Sequence, residues 1–306
     1  MSGTAEIGLG PVGPAVADTP PPAAPEGAVR RRRPLLRPTV LVPAALVGLV
    51  LLVAAFPSLF AGLFGHGDPR ACDLAHSRQG PTSGHPFGYD IQGCDLYANV
   101  VHGARPSVFI GLAVTLGAVT IAVVLGCTAA YFGGVVDGVI SRTMDVFFGF
   151  PVLVGQIVIL NTISTRNALV VAGVLILFVW PYTTRLMRSA ALTTVEQGYV
   201  KAARGLGAGP WRIITRHVLP NSAGPVAAVV GLMVGGMITL ESALTFLGVG
   251  LKQPTISWGV QLNTAQSAFR ADPHLLLFPS LFLTVTVLAF VLLGDALRDV
   301  FDPRQP

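Results

Sequence analysis

The chain has 306 residues, 52% hydrophobic and 11% charged, where a soluble domain carries about 25% charge; an ordinary soluble enzyme is excluded. Uncharged runs cover 38–67, 106–136, 146–165, 167–184, 217–240 and 273–294, each at or above the roughly 18 residues a helix needs to cross a bilayer. They are continuously apolar and do not alternate with period two, which excludes an outer-membrane barrel. The formal net charge of +5 points to no nucleic-acid partner, because the basic residues form no patch interleaved with aromatics.

Residues 1–37, rich in Pro, Ala and Gly, read as a disordered tail that ends in Arg30, Arg31, Arg32, Arg33 and Arg37. The first apolar run begins too late and is too long for a cleavable signal peptide, so it is expected to remain as an anchor, 38–64. Transmembrane helices are expected near 39–64, 106–132, 140–162, 168–188, 223–247 and 275–296. That is an all-α integral membrane protein of six spans, with a five-helix core at 106–298 and a short tail at 299–306. With the amino terminus inside, 14 basic residues fall on the cytoplasmic side and six outside; this bias sets both termini in the cytoplasm.

The segment 65–105 is then extracytoplasmic. Cys72 and Cys94 fall in it, where an oxidising compartment permits a disulfide, while Cys127 lies in the second helix. A metal site with His66, His76 and His85 has no supporting ligand spacing, so no metal is expected. A second outer segment, 248–274, carries Pro254 and Trp258 and reads as partly buried surface. Pro151 and Pro181 are expected to bend the third and fourth helices. Asp137 and Asp145 read as helix caps or cytoplasm-facing groups, and Asp295 and Arg298, three apart, as a pair.

Glu241 interrupts the fifth run, and an ionisable group at membrane depth is a candidate for lining a pathway; an interfacial marker or a pairing with a neighbouring helix is the alternative. Gly231 and Gly235, with Gly236, make a small-residue face that lets helices approach closely in lipid.

The cytoplasmic loop 189–222 is too long for a bare connection. In its stretch 195–206, Val195, Tyr199, Ala202 or Ala203, and Leu206 fall at helical spacing and give one apolar stripe. Gly207 and Gly209 then break the helix, Pro210 opens a second one over Trp211–Val218, and Pro220 ends it. Such a pair either docks a partner or rests on membrane lipid headgroups through Arg204, Arg212, Arg216 and Trp211; spacing alone leaves both open.

At these residues the chain resembles a known family. KAARGLGAGPWRIITRHVLPN is similar to the coupling loop of ABC-importer permeases, whose pattern is Glu-Ala-Ala, three residues, Gly, nine residues, Ile, one residue, Leu-Pro. Ala202, Ala203, Gly207, Leu219 and Pro220 match in register, while Lys201 replaces the Glu and His217 the Ile. His85–Asp90, Gly103–Arg105, Ser242–Gly250, Ser257–Gly259, Gly294–Asp299 and Asp302–Arg304 further resemble the C-type permease of dipeptide, oligopeptide and nickel importers. The resemblance implies a heterodimeric type I permease core with a second, B-type permease against which the Gly231–Gly235 face would pack. It also implies two ATPase subunits that bind ATP and Mg and push on the coupling loop around Tyr199 and Lys201, and an extracytoplasmic substrate-binding protein.

The residues agree independently that this chain is no ATPase. A P-loop needs a Gly-Lys pair, and the two lysines follow Val200 and Leu251. His-Glu-x-x-His and Gly-x-Ser-x-Gly are also missing, so no catalytic residue and no cofactor of its own is expected. A secondary transporter would show paired inverted repeats and broken helices around a midplane site; no convincing repeat is found. A membrane scaffold would leave the loop's register an accident.

Overall fold

The computed structural model describes residues 38–64 and 67–301. The basic tail, His66, and the stretch from Asp302 to Arg304 lie outside the described residues. Among those described, no strand forms, and five helices are long and apolar enough to cross a membrane. Two shorter helices, Gly134–Phe148 and Val152–Thr162, are together apolar enough for a sixth span but are bent at 84° to one another.

Helix α1 (Pro38–Ala55) stops at Phe56, because Pro57 lacks an amide hydrogen and disfavours helical backbone before it. A short helix α2 (Pro57–Ala61) follows, so the expected single span to residue 64 is two pieces. Helix α3 (Leu96–Phe132) begins ten residues earlier than the uncharged run. Asp95 caps it, accepting from the backbone N–H groups of Tyr97 and Ala98, and one charged residue, Arg105, interrupts it without ending it. At 37 residues it is roughly 55 Å long, beyond the ~30 Å hydrocarbon core. It therefore serves as the shared wall against which α1 and the later helices over 168–195 and 224–246 pack.

The third span departs most from expectation. Helix α4 (Gly134–Phe148) and helix α5 (Val152–Thr162) are separate, and Pro151 ends one helix instead of bending it. Helix α6 (Ala168–Val195) runs through Pro181 and beyond the expected end near 188. Helix α10 (Gly224–Phe246) packs on α3 and on helix α12 (His274–Phe301). Between these two, helix α11 (Trp258–Ala265) is capped by the Ser257 hydroxyl, which accepts from the Val260 N–H.

Gly231 and Gly235 face α12 of the same chain. A Cβ on Gly231 would stand 2.4 Å from the Gly294 Cα, and one on Gly235 would stand 3.2 Å from the Val287 carbonyl. The expected contact with a partner permease is thus an internal one, since α10 and α12 cross at two glycines. Gly236 meets nothing within 4 Å.

Candidate functional site

At the cytoplasmic end, α6 turns into helix α7 (Gly198–Gly205). Val200 is fully buried there, joining Ile213 and Val218 against Met187 and Ala191 of α6 and Cys127 of α3. Periodicity misses this anchor, because Val195, Tyr199 and Leu206 form the more regular stripe. Most of that stripe faces outward: Leu206 is 89% exposed and Tyr199 46%, with Trp211 65% exposed beside them, while Val195 is half-buried on the Val200 cluster. Lys201 and Ala202 are exposed beside them, and Ala203 is half-buried.

Gly207 has a φ of +81°, with nothing within 4 Å of a Cβ. It ends α7 by the left-handed turn glycine adopts without strain, while the Ala208 N–H donates to the Ala203 carbonyl. Arg204 lies 4.8 Å over the Tyr131 ring of α3, which steadies the projection on its inner side.

Helix α8 (Pro210–Ile213) opens on Pro210, and Pro220 does not end the helical backbone. A wider turn at Ile214–Val218 leads into helix α9 (Leu219–Ser222), and helical backbone continues through Ala223 into α10. The wide turn relieves the clash a proline ring makes with the carbonyl four residues back. Leu219 is half-buried on the Val200 cluster and Pro220 is exposed. One exposed apolar lobe therefore joins α6 to α10.

Two ion pairs hold α4 to the same end of α6. Arg188 chelates Asp137 with Nε and an NH2 group, and Arg185 reaches Asp145 at 3.1 Å. Neither acid is a simple cap or a free cytoplasmic group. Asp295 and Arg298 form no ion pair within 4 Å, against expectation.

Glu241 is wholly enclosed by the chain and lines no opening of it, which corrects the pathway expectation for this conformation. The Thr245 hydroxyl donates to its Oε1 at 2.9 Å, and Ser242 donates to Oε2 at 3.3 Å. Thr245 also accepts from the Leu251 N–H. The carboxylate thus ties the top of α10 to the turn that follows.

On the outer face, Cys72 and Cys94 are bonded across a sequence separation of 22. His85 Nδ1 lies 3.0 Å from Asp95 Oδ2, and His76 stacks on Tyr89. Among the described residues no group of His, Cys, Asp and Glu is placed to hold a metal ion. Asp90 Oδ1 accepts from the Gln92 and Cys94 N–H groups; burial pushes its carboxyl above the ordinary range, and these backbone bonds oppose the rise. Phe87 stacks flat on Phe278 of α12 at 4.0 Å, and Tyr97 donates to the Phe60 carbonyl. The Trp258 indole donates to the Val100 carbonyl of α3. Together these contacts fasten an ordered cap on the membrane helices.

Five long apolar helices and a bent sixth pair under a fastened outer cap, with an exposed lobe at the other end, mark a multi-pass membrane protein. Residues 118–305 match the family described as the inner membrane component of binding-protein-dependent transport systems, and the chain belongs to that family. Over 272 residues it is 36% identical to a glutathione transport system permease protein of Pectobacterium atrosepticum, covering 89% of each chain. It is 32% identical over 291 residues to a dipeptide transport system permease protein of Alkalihalophilus pseudofirmus, covering 94% of this chain and 95% of that one. A glutathione transport system permease protein of Escherichia coli is 35% identical over 270 residues, covering 88% of each chain.

Proposed function

We propose that the chain is one of two permease subunits in an ATP-driven importer of short peptides. A second, B-type permease would complete the pathway, two ATPase subunits would bind ATP and Mg, and an extracytoplasmic binding protein would deliver substrate. The observation that carries this reading is likeness to dipeptide and glutathione permeases over nearly the whole chain. It favours peptides over nickel within the wider family, and an ATP-independent carrier is not favoured.

The exposed lobe supports a mechanical role without chemistry of its own. Tyr199, Ala202, Leu206 and Trp211 offer apolar surface to an ATPase groove, while Val200 and Ile213 root the lobe between α3 and α6. Closure of the ATPases would push the lobe and turn α10, through the continuous helical backbone at 210–223, together with α6, on which Val200 and Ile213 pack.

Gly207→Ile tests this lever. A β-branched residue resists a φ of +81° at a cost of roughly 1–2 kcal/mol, but open space at the site leaves the interior undisturbed. Membrane insertion and co-purification of the second permease are expected to persist, with peptide uptake lost and ATP hydrolysis no longer stimulated by loaded binding protein. Normal uptake in the variant would overturn the lever.

A further inference from the structure

Three adjoining concavities mark the outer face. One, of about 260 Å³, lies between the disulfide-closed segment and the 253–265 stretch. It shares Pro69, Arg70 and Thr255 with a second concavity, and Gln92, Gln253 and Thr264 with a third. They form one depression at the face where substrate would arrive.

Its charges are unevenly committed. Arg70 borders two of the concavities, Arg105 the second and Lys252 the third, and none of these cations forms an ion pair among the described residues. The acids at the rim are Asp68 and Asp90, which accept backbone N–H groups from Arg70 and from Gln92 and Cys94. Three cations against two carboxylates leave the depression net positive, which suits a carboxylate.

Its wall suits an amide. Gln261 donates from Nε2 to the Asn99 carbonyl at 2.7 Å, while its Oε1 is buried without a donor among the described residues. A buried acceptor left unsatisfied costs free energy that an entering N–H would recover. Leu96, Val260, Ala265 and Leu275 supply apolar lining. A volume near 260 Å³ for the first concavity falls just under the ~300–1,000 Å³ of drug-sized sites, the scale of a peptide of two or three residues.

We propose that this depression is a receiving site for a peptide of two or three residues with a free terminal carboxylate. Arg70 holds the carboxylate, and a small shift of Gln261 lets its Oε1 take a peptide N–H. The site would hold substrate released by the binding protein before the pathway admits it. It rests on the peptide-importer reading and adds a substrate contact on the permease itself.

The test uses the whole transporter in nanodiscs, with the binding protein omitted. Equilibrium binding of radiolabelled dialanine and trialanine is compared with that of their C-terminal amides, and inorganic phosphate is added as competitor. The expected result is saturable binding of the free acids, weakened at least about tenfold by amidation and about tenfold by Arg70→Ala, the loss of one charge-assisted contact. Gln261→Leu should weaken both acids and amides, and Arg270→Ala, an exposed cation outside the depression, should change nothing. Arg70 is itself exposed, so its loss leaves folding intact.

Equal binding by all variants, no saturable binding, or full displacement by phosphate at the peptide's own concentration would overturn the proposal. ATP hydrolysis stimulated by binding protein loaded with the same peptides is measured in parallel. Stimulation without a permease-borne site removes this proposal alone, whereas no stimulation by any peptide removes the importer reading beneath it.

Discussion

At the scale of single residues, missing side-chain atoms matter as much as those present. Gly231 and Gly294 let α10 and α12 touch backbone to backbone, the close approach that favours association in lipid, where no hydrophobic force draws helices together. Gly231→Val should therefore prevent stable assembly, read as loss of the protein from membranes, whereas Gly236→Val, with open space around it, should accumulate normally. The small-residue face was legible in the sequence, but its partner was not, because a one-dimensional pattern names a surface without naming what meets it. Asp90 gives a residue-scale prediction of a different kind. Its folded carboxyl is held above the ordinary value, mainly by burial, so the folded cap binds a proton more readily than the unfolded chain. Its contribution then favours the fold at acidic pH and is lost as pH rises from the usual carboxylate range through the raised value. Asp90→Asn keeps an acceptor for the Gln92 and Cys94 N–H groups and removes that dependence. Hydrogen exchange across residues 72–94 should slow in the variant at neutral pH and match wild type at low pH; faster exchange at neutral pH would contradict the assignment.

At the scale of elements, prolines account for most of the distance between the sequence pattern and the fold. Pro57 and Pro151 each end a helix that hydropathy reads as continuous, whereas Pro181 and Pro220 are carried inside helical backbone. The local chemistry is the same, and tertiary packing decides between the outcomes. Asp95 was a readable start signal for α3, hidden by the rule that a span begins after the last charge. The broken third span brings Asp137 and Asp145 of α4 to Arg188 and Arg185 of α6, contacts no periodicity could reveal because the pairs lie 51 and 40 residues apart. The first pair is mostly shielded, with side chains 26% and 23% exposed, and the second is about half-exposed. Arg188→Ala should therefore cost about 1–2 kcal/mol, and Arg185→Ala under about 1 kcal/mol. Thermal inactivation of the assembled transporter, measured for single and double replacements with Asp137→Ala and Asp145→Ala, would give the coupling energies directly. Equal coupling in the two pairs would mean that the shielding of the first has no energetic consequence.

At the scale of the whole molecule, the two ends are built for different tasks. The outer end is fastened across segments: the cap is tied to α12 by the Phe87–Phe278 stack, α3 to α2 by Tyr97, and α11 to α3 by Trp258. The cytoplasmic end leaves Leu206 and Trp211 uncovered on a projecting lobe, an arrangement that is costly in water unless another surface covers it. At the cytoplasmic end the spacing made two short helices broken at Gly207 legible, but not Val200 as their anchor. The cap was not readable in that way, because its order comes from aromatic and hydrogen-bond contacts between distant segments. The disulfide's share in the cap can be isolated. Cross-linking residues 22 apart removes loop entropy worth about 3 kcal/mol from the unfolded segment, while the aromatic and capping contacts remain without it. Replacing both Cys72 and Cys94 by Ser should therefore make residues 73–93 sensitive to protease added from outside, yet leave the five long helices inserted and ATP hydrolysis coupled at the cytoplasmic lobe. If the double variant instead lost ATPase coupling while still inserting, the cap and the lobe would have to move as one body, and a lever confined to the cytoplasmic end would no longer describe this permease.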